Sequence, residues 1–309
     1  MTLRQLRYFL EIAQLRSFTR ASEVLHIAQS ALSRQVRALE DELGLPLFDR
    51  VDRGVKLTAA GERLRDRALV LLSNFDELCD DIVAHAGEPR GPLGIGLPPS
   101  LREMVNVPLL GEYAQRYPQV KLHVHEGISI DLEQSILQGR MDCALIVDLE
   151  TPPTLRIDPV LCEQLFLVGS VAAELDMDRP VSLEHVAGYD LILTSRPNSL
   201  RLIVENALAR TRRPLRIVAD FNATGLMTEL VKGGMAYSVL PYSAAWAAYN
   251  RGDLTLAPIP DLSIDWVLAS RRERPISLAA TKLDELILDV ARRRIDAGEW
   301  IGARITREA

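Results

Sequence analysis

Residues 29–37, Gln29-Ser30-Ala31-Leu32-Ser33-Arg34-Gln35-Val36-Arg37, concentrate side chains suited to gripping a polyanion. On a helix, Gln29, Ser30, Ser33, Arg34 and Arg37 share one face, while Leu32, Val36, Leu39 and Leu43 form an apolar stripe on another. Amides, hydroxyls and guanidinium forks bond phosphates and base edges alike. A second basic feature follows in Asp49-Arg50-Val51-Asp52-Arg53-Gly54, a turn that carries Arg50 and Arg53 at its tip, where an arginine can enter a minor groove. A third group of residues lies where strand-like runs end and helices begin: Pro98-Pro99-Ser100, Gly127-Ile128-Ser129 and Thr194-Ser195-Arg196-Pro197-Asn198-Ser199. Open α/β sheets bind ligands at such points, because helix starts present free N–H groups that favour negative charge. The expected ligand is a small anion, with Ser100, Ile128, Ser129, Ser195 and Arg196 as its contacts.

Other chemistry finds little support. His123 and His125 alternate on one strand, but no third metal ligand stands nearby, so polar packing is the expectation and no metal or cofactor is predicted. Cys79, Cys143 and Cys162 are too few and too scattered for a disulfide framework or a zinc site and read as reduced, buried thiols. Gly-x-Ser-x-Gly, a P-loop lysine and a Gly-x-Gly-x-x-Gly turn are all missing, and the chain does not read as an enzyme. The net charge of −6 divides unevenly: residues 1–65 hold 11 Lys/Arg against 8 Asp/Glu, leaving a mildly basic head on an acidic body. With neither a signal-peptide layout nor a membrane-length apolar run, the expected location is the cytoplasm, with no membrane partner.

The elements that must position these residues are legible in outline. Leu3, Leu6, Leu10 and Ala13 mark an opening helix; Ser17 caps a short second helix that buries Phe18, Ala21, Val24 and Leu25; Gly44 stops the third near Leu43. Strands at Leu47-Phe48 and Val55-Leu57 flank the arginine turn. A short helix, a tight turn, a polar-faced helix and a two-stranded wing make a winged helix-turn-helix over residues 1–58. Leu64, Ala68, Leu71, Phe75, Leu78 and Ile82 then form a heptad seam on a linker helix over 59–88, which predicts pairing of two chains. From Leu93 onward, seven strand-like runs alternate with helices, predicting an α/β fold with mainly parallel sheets in two units over 93–309.

The run L-R-Y-F-L-E-I-A…S-F-T-R-A-S-E-V-L-H-I-A-Q-S-A-L-S-R-Q-V-R-A-L-E-D-E-L-G-L-P-L-F-D-R…G-V-K-L-T-A-A-G resembles the N-terminal signature of LysR-type transcriptional regulators. Ser30 departs from it, standing where the family usually has proline. The resemblance implies a DNA-reading set of Thr19, Arg20, Ala28, Gln29, Ser30, Ser33, Arg34, Arg37, Arg50 and Arg53. It implies promoter DNA as partner, a homodimer or homotetramer paired through linker helices, and possible contact with RNA polymerase. It also implies a periplasmic-binding-protein-like effector domain, with lobe I about 93–162 and 268–300 and lobe II about 163–267. The chain would cross between lobes near Leu161-Cys162-Glu163 and near Trp266 to Ala269. Gly233-Gly234-Met235-Ala236 followed by Val239-Leu240-Pro241 fits the family's glycine-rich turn, with Ala236 in place of a frequent second glycine. Leu165-Phe166-Leu167-Val168-Gly169 resembles the nitrogen-assimilation control subgroup. Two other functions remain open at this point. An enzyme fused to a DNA-binding head would need a nucleophile or acid–base pair in the cleft, and a ligand-independent co-repressor platform would fill the cleft with its own side chains.

Overall fold

The computed structural model describes residues 1–51, 54–83, 88–149, 152–211 and 213–307, with the side chains of Arg50, Ser73, Asn74 and residues 76–83 left out of the description. The chain forms two compact units, one essentially residues 1–86 and the other residues 87–309. Among the described residues no helix is long and apolar enough to cross a membrane.

The first unit contains α1 (Leu3–Leu15), α2 (Phe18–Val24), α3 (Gln29–Leu43), a hairpin of β1 (Phe48–Val51) and β2 (Gly54–Leu57), and α4 (Ala59–Val83). Thr2 opens α1 through a reciprocal capping box with Gln5, and the Ser17 hydroxyl accepts the Arg20 N–H at the start of α2. Gly44 ends α3 where the sequence placed its stop, and it does so in the left-handed conformation. Gly54 has a stricter role: at φ +105° a side chain is strained, and a Cβ there would lie 2.3 Å from the Arg16 carbonyl oxygen. That close approach lets the Val55 N–H bond Arg16 O at 3.0 Å, docking the wing on the end of α1.

Three details of the head differ from the sequence reading. Leu6, Phe9 and Ile12, rather than Leu3, Leu10 and Ala13, form the fully buried face of α1. Val24 and Leu43 are exposed, because each lies about one turn beyond the last core residue of its helix, Ala21 in α2 and Leu39 in α3. The linker seam is also divided. Ala68, with Leu72, packs on Leu6 of α1, and Leu64 lies half-buried beside them. Thirteen residues of α1 span about 20 Å, enough to cover the first turns of α4. Leu71 and Phe75 remain exposed at 45% and 38%. The Leu78 and Ile82 side chains lie outside the described residues.

In the second unit, β3 (Gly91–Leu97), α5 (Val107–Arg116), β4 (Val120–Glu126), α6 (Ser129–Leu137) and β5 (Cys143–Val147) alternate as expected. They lead into a 16-residue strand, β6 (Leu155–Ser170). Then come α7 (Leu183–Val186), β7 (Asp190–Thr194), α8 (Ser199–Ala209), β8 (Arg216–Phe221), α9 (Thr224–Lys232), β9 (Ser238–Pro241) and α10 (Tyr242–Asn250). The 18-residue β10 (Leu254–Arg271), α11 (Leu278–Asp296) and β11 (Ala303–Ile305) complete the unit. One sheet runs β11-β6-β10-β5-β3-β4 with β9 on the far half of β6, and β7 pairs β8 separately.

This sheet is mixed, which corrects the expectation of mainly parallel sheets. The β3–β4, β3–β5 and β7–β8 pairs are parallel, but β10 is antiparallel to both β5 and β6. Pro159, Pro258 and Pro260 fall within these two long strands and interrupt their apolar alternation, so local pattern alone does not show either as one strand. In the structure the β6–β10 ladder simply shifts register there, between Pro258 and Ser263 and again between Trp266 and Val267. A pair of strands running continuously through two lobes is how the chain crosses twice.

Candidate nucleic-acid interface and ligand cleft

The helix-turn-helix presents its predicted polar face. Thr19, Arg20, Ala28, Gln29, Ser30, Ser33, Arg34 and Arg37 are all exposed. The apolar side of α3 holds Leu32, Val36 and Leu39 in the core, and this fixes which face α3 turns outward. The turn before α3 needs His26 at φ 52°, and Ala28 takes the cap position with no side-chain hydrogen bond. The first N–H groups of α3 are thereby left open toward a phosphate. Of the wing arginines, Arg53 lies outside the described residues, as does the side chain of Arg50.

In the second unit a cavity of about 600 Å³ opens between the halves of the crossing sheet. A narrower recess continues from it past Ser129, Val147, Thr194 and Trp266. Four helix starts converge on this cleft: the 3-10 turn at Pro99–Leu101, and the N-termini of α6, α9 and α10. Ser100, Ile128 and Ser129 line it, as predicted. Ser129 is nevertheless buried, and its hydroxyl accepts the Val147 N–H at 3.0 Å, so it helps to close the recess as well as to line it.

Ser195 and Arg196 do not line the cleft. The Ser195 hydroxyl donates to Asp220 at 3.1 Å, and Arg196 reaches Glu205 at 2.5 Å. Side chains alternate along a strand end, so Thr194 takes the inward place and Ser195 the outward one. Asn198 lines the recess while its side chain accepts the Leu200 N–H at 2.9 Å, capping α8.

The sequence reading missed Asn222 and Thr224 at the start of α9, and Ser243 and Ala244 at the start of α10. The α9 pair could have been found, since a strand over 217–221 followed by a helix satisfies the rule used for Ser100 and Ser129. The second pair could not, because Tyr-Ser-Ala-Ala-Trp-Ala-Ala-Tyr is apolar on every side and shows no amphipathic period. Arg102, at the rim, forks onto Glu126 with its Nε 2.9 Å from Oε1.

Beneath the cleft lies Glu163 of β6, completely buried. Its Oε1 accepts the Ser243 N–H at 2.7 Å and the Trp300 indole N–H at 2.8 Å. Its Oε2 accepts the Trp266 indole N–H at 2.7 Å and the Ser243 hydroxyl at 3.1 Å. Burial pushes this carboxyl above its ordinary range, while its four donors pull the other way. One side chain thus ties the start of α10, the crossing strand β10 and the segment before β11.

Cys143 and Cys162 are buried free thiols, and burial pushes the Cys143 thiol well up. A protonated thiol is a poor nucleophile. Native protein near neutral pH should therefore leave Cys143 unlabelled by iodoacetamide, and the urea-unfolded chain should label it fully, as read by peptide mass spectrometry. Labelling at equal rates in both states would remove the argument for an inert thiol. His123 and His125 are exposed on the edge strand β4, and no cluster of three or more metal-ligating side chains occurs among the described residues.

A winged helix-turn-helix joined in sequence to a two-lobed α/β unit with an open cleft defines a DNA-reading sensor class. Residues 3–62 match the bacterial regulatory helix-turn-helix protein model of the lysR family, and residues 86–292 match the LysR substrate binding domain. The chain belongs to the LysR family and is a DNA-binding transcriptional regulator with an effector-binding domain. It is 31% identical over 297 residues to the nitrogen assimilation regulatory protein nac of Klebsiella aerogenes, covering 95% of this chain and 96% of that one. It is 28% identical to the transcriptional regulator BbuR of Bordetella bronchiseptica, covering 96% and 92%. Among solved structures, a full-length OxyR variant from Pseudomonas aeruginosa superposes with a TM-score of 0.74 at 25% identity, covering 100% and 99%. CbnR in complex with its target DNA gives 0.68 at 22%, covering 95% and 99%. These relatives are regulators rather than enzymes.

Proposed function

We propose that this chain reads promoter DNA as a paired molecule in the cytoplasm and changes that reading when a small effector occupies the cleft. The carrying observation is the cleft itself: about 600 Å³ of space, walled by both halves of the crossing sheet and ringed by helix starts. A ligand-independent co-repressor platform would have filled that space with its own side chains. The domain boundaries that suit this reading are 1–58 for DNA, 59–88 for pairing and 93–309 for sensing. Lobe I takes about 93–162 and 268–300 and lobe II about 163–267, and the register breaks near Trp266 and Pro258 support these limits.

On the DNA side the proposed contacts are Thr19, Arg20, Ala28, Gln29, Ser30, Ser33, Arg34 and Arg37, with Arg50 and Arg53 on the wing. On the effector side they are Ser100, Ile128 and Ser129, joined by Thr194, Asn222 and Thr224. A homodimer or homotetramer suits paired half-sites, and a bound regulator can also meet RNA polymerase. An effector can shift the assembly only by as much as it prefers one arrangement over another.

The test is binding to a promoter fragment that the protein itself selects from random DNA. Arg34→Ala should cost about 1–3 kcal/mol on that fragment and relax discrimination at one base position, while affinity for scrambled DNA changes little. An Arg34→Ala variant that keeps full discrimination would remove the α3 face from base reading.

A further inference from the structure

The ionisable side chains around the cleft do not match a simple anion site. Among the described residues, Arg102 is the one cation lining the larger cavity, and three carboxylates, Glu103, Glu126 and Asp131, line it too. Arg102 is committed to Glu126 through a forked ion pair. Glu103 and Asp131 are left exposed and without an ion pair among the described residues. The rim therefore attracts positive charge, and the low-dielectric walls of a cleft concentrate that field.

The interior has the opposite preference. The start of α9 lines it, and its cap, Ala223, supplies no side-chain hydrogen bond to the first N–H groups, whereas at α10 the Ser243 N–H is already taken by Glu163. Thr194 supplies an independent sign that a ligand belongs there. It is 7% exposed, it lines the inner recess, and its hydroxyl has no hydrogen-bond partner among the described residues. A buried hydroxyl left unpaired is costly, so a site that keeps one gains when a ligand bonds it. A group that accepts from N–H donors and hydroxyls together, in a place where helix dipoles favour negative charge, is a carboxylate.

We propose that the effector is a zwitterion of the amino-acid class. Its carboxylate lies in the recess against Thr194 and the start of α9, and its ammonium group lies at the rim against Asp131 and Glu103. A plain anion satisfies the recess and is opposed by the rim; a plain amine does the reverse. Only a molecule with both groups meets both preferences. This inference rests on the reading of the cleft as the effector site.

The experiment uses the full-length chain and a panel of L-amino acids at millimolar concentration. Each amino acid is tested beside the carboxylic acid lacking its amino group and the amine lacking its carboxylate. Thermal unfolding identifies binders and calorimetry measures them. At least one amino acid should bind, and each truncated counterpart should bind about tenfold more weakly, the loss expected for one charge-assisted hydrogen bond. Asp131→Asn should weaken the amino acid by a similar factor and leave the matched carboxylic acid unchanged, with the ligand-free melting temperature as the check on folding. Thr194→Val should weaken the amino acid and the carboxylic acid together. A carboxylic acid that binds as tightly as its amino counterpart overturns the zwitterion and leaves the effector reading standing. A panel in which nothing binds also overturns the zwitterion. The effector reading is judged separately, by whether a small-molecule extract of cells alters promoter binding.

Discussion

Glu163→Ala should lower the melting temperature of the second unit by about 6–12 °C, the shift that a loss of roughly 3 kcal/mol causes in a domain of this size. The replacement strands four donors at once: two indole N–H groups, a backbone N–H and a hydroxyl, all in a site with no exposure. Glu163→Gln preserves the volume and one acceptor oxygen but turns an amide N–H₂ toward two donors. It should lose somewhat less, about 2 kcal/mol. Because Ser243 lines the cleft, both variants should also disturb ligand binding beyond their effect on stability. Differential scanning calorimetry of the full-length chain reads the first consequence and ligand calorimetry the second. If Glu163→Ala melts with the parent, the buried carboxylate does not fasten the crossing strands.

The second large effect concerns assembly. Leu71 and Phe75, one turn apart on α4, are exposed at 45% and 38%, and α1 already covers Ala68. An apolar pair left open on a 25-residue helix is stabilised by pairing with a second copy. Leu71→Asp places a carboxylate in that contact, where it is either buried without a partner or prevents association. Light scattering should then report the 34.4 kDa single chain in place of a multiple of it. Affinity for a two-half-site operator should fall about 100-fold or more, because the second head no longer binds as a tethered partner. Affinity for one half-site should hold. A variant that remains as oligomeric as the parent would place the pairing contact away from α4.

Much of the DNA face was legible because it depends on local order. Gln29 to Leu43 carries its own helical period, its own stop at Gly44 and a polar face set by the positions of Leu32, Val36 and Leu39. No distant residue is needed to decide which side of α3 faces outward. The same holds for Ser100 and Ser129, each found by the passage from a strand end to a helix start. Ser195 and Arg196 show where this reasoning stops. The loop was correctly placed, but which of its residues turned inward depended on the last strand residue, Thr194, and on partners 9 and 25 residues away, Glu205 and Asp220.

The sequence by itself determined the two-part organisation, the helix-turn-helix and its exposed polar face, and two of the four helix starts that surround the cleft. These follow from periods of 3.6 and 2 and from capping residues, all of which act within a few positions. Tertiary structure alone decided three matters: the antiparallel crossing of β6 and β10, the share of the α4 seam that α1 covers, and the gathering of Ser243, Trp266 and Trp300 around Glu163. Each joins residues from about 60 to more than 130 positions apart. A buried glutamate in an apolar strand reads locally as a misfit, and the donors that make it stable arrive only when the chain has crossed twice.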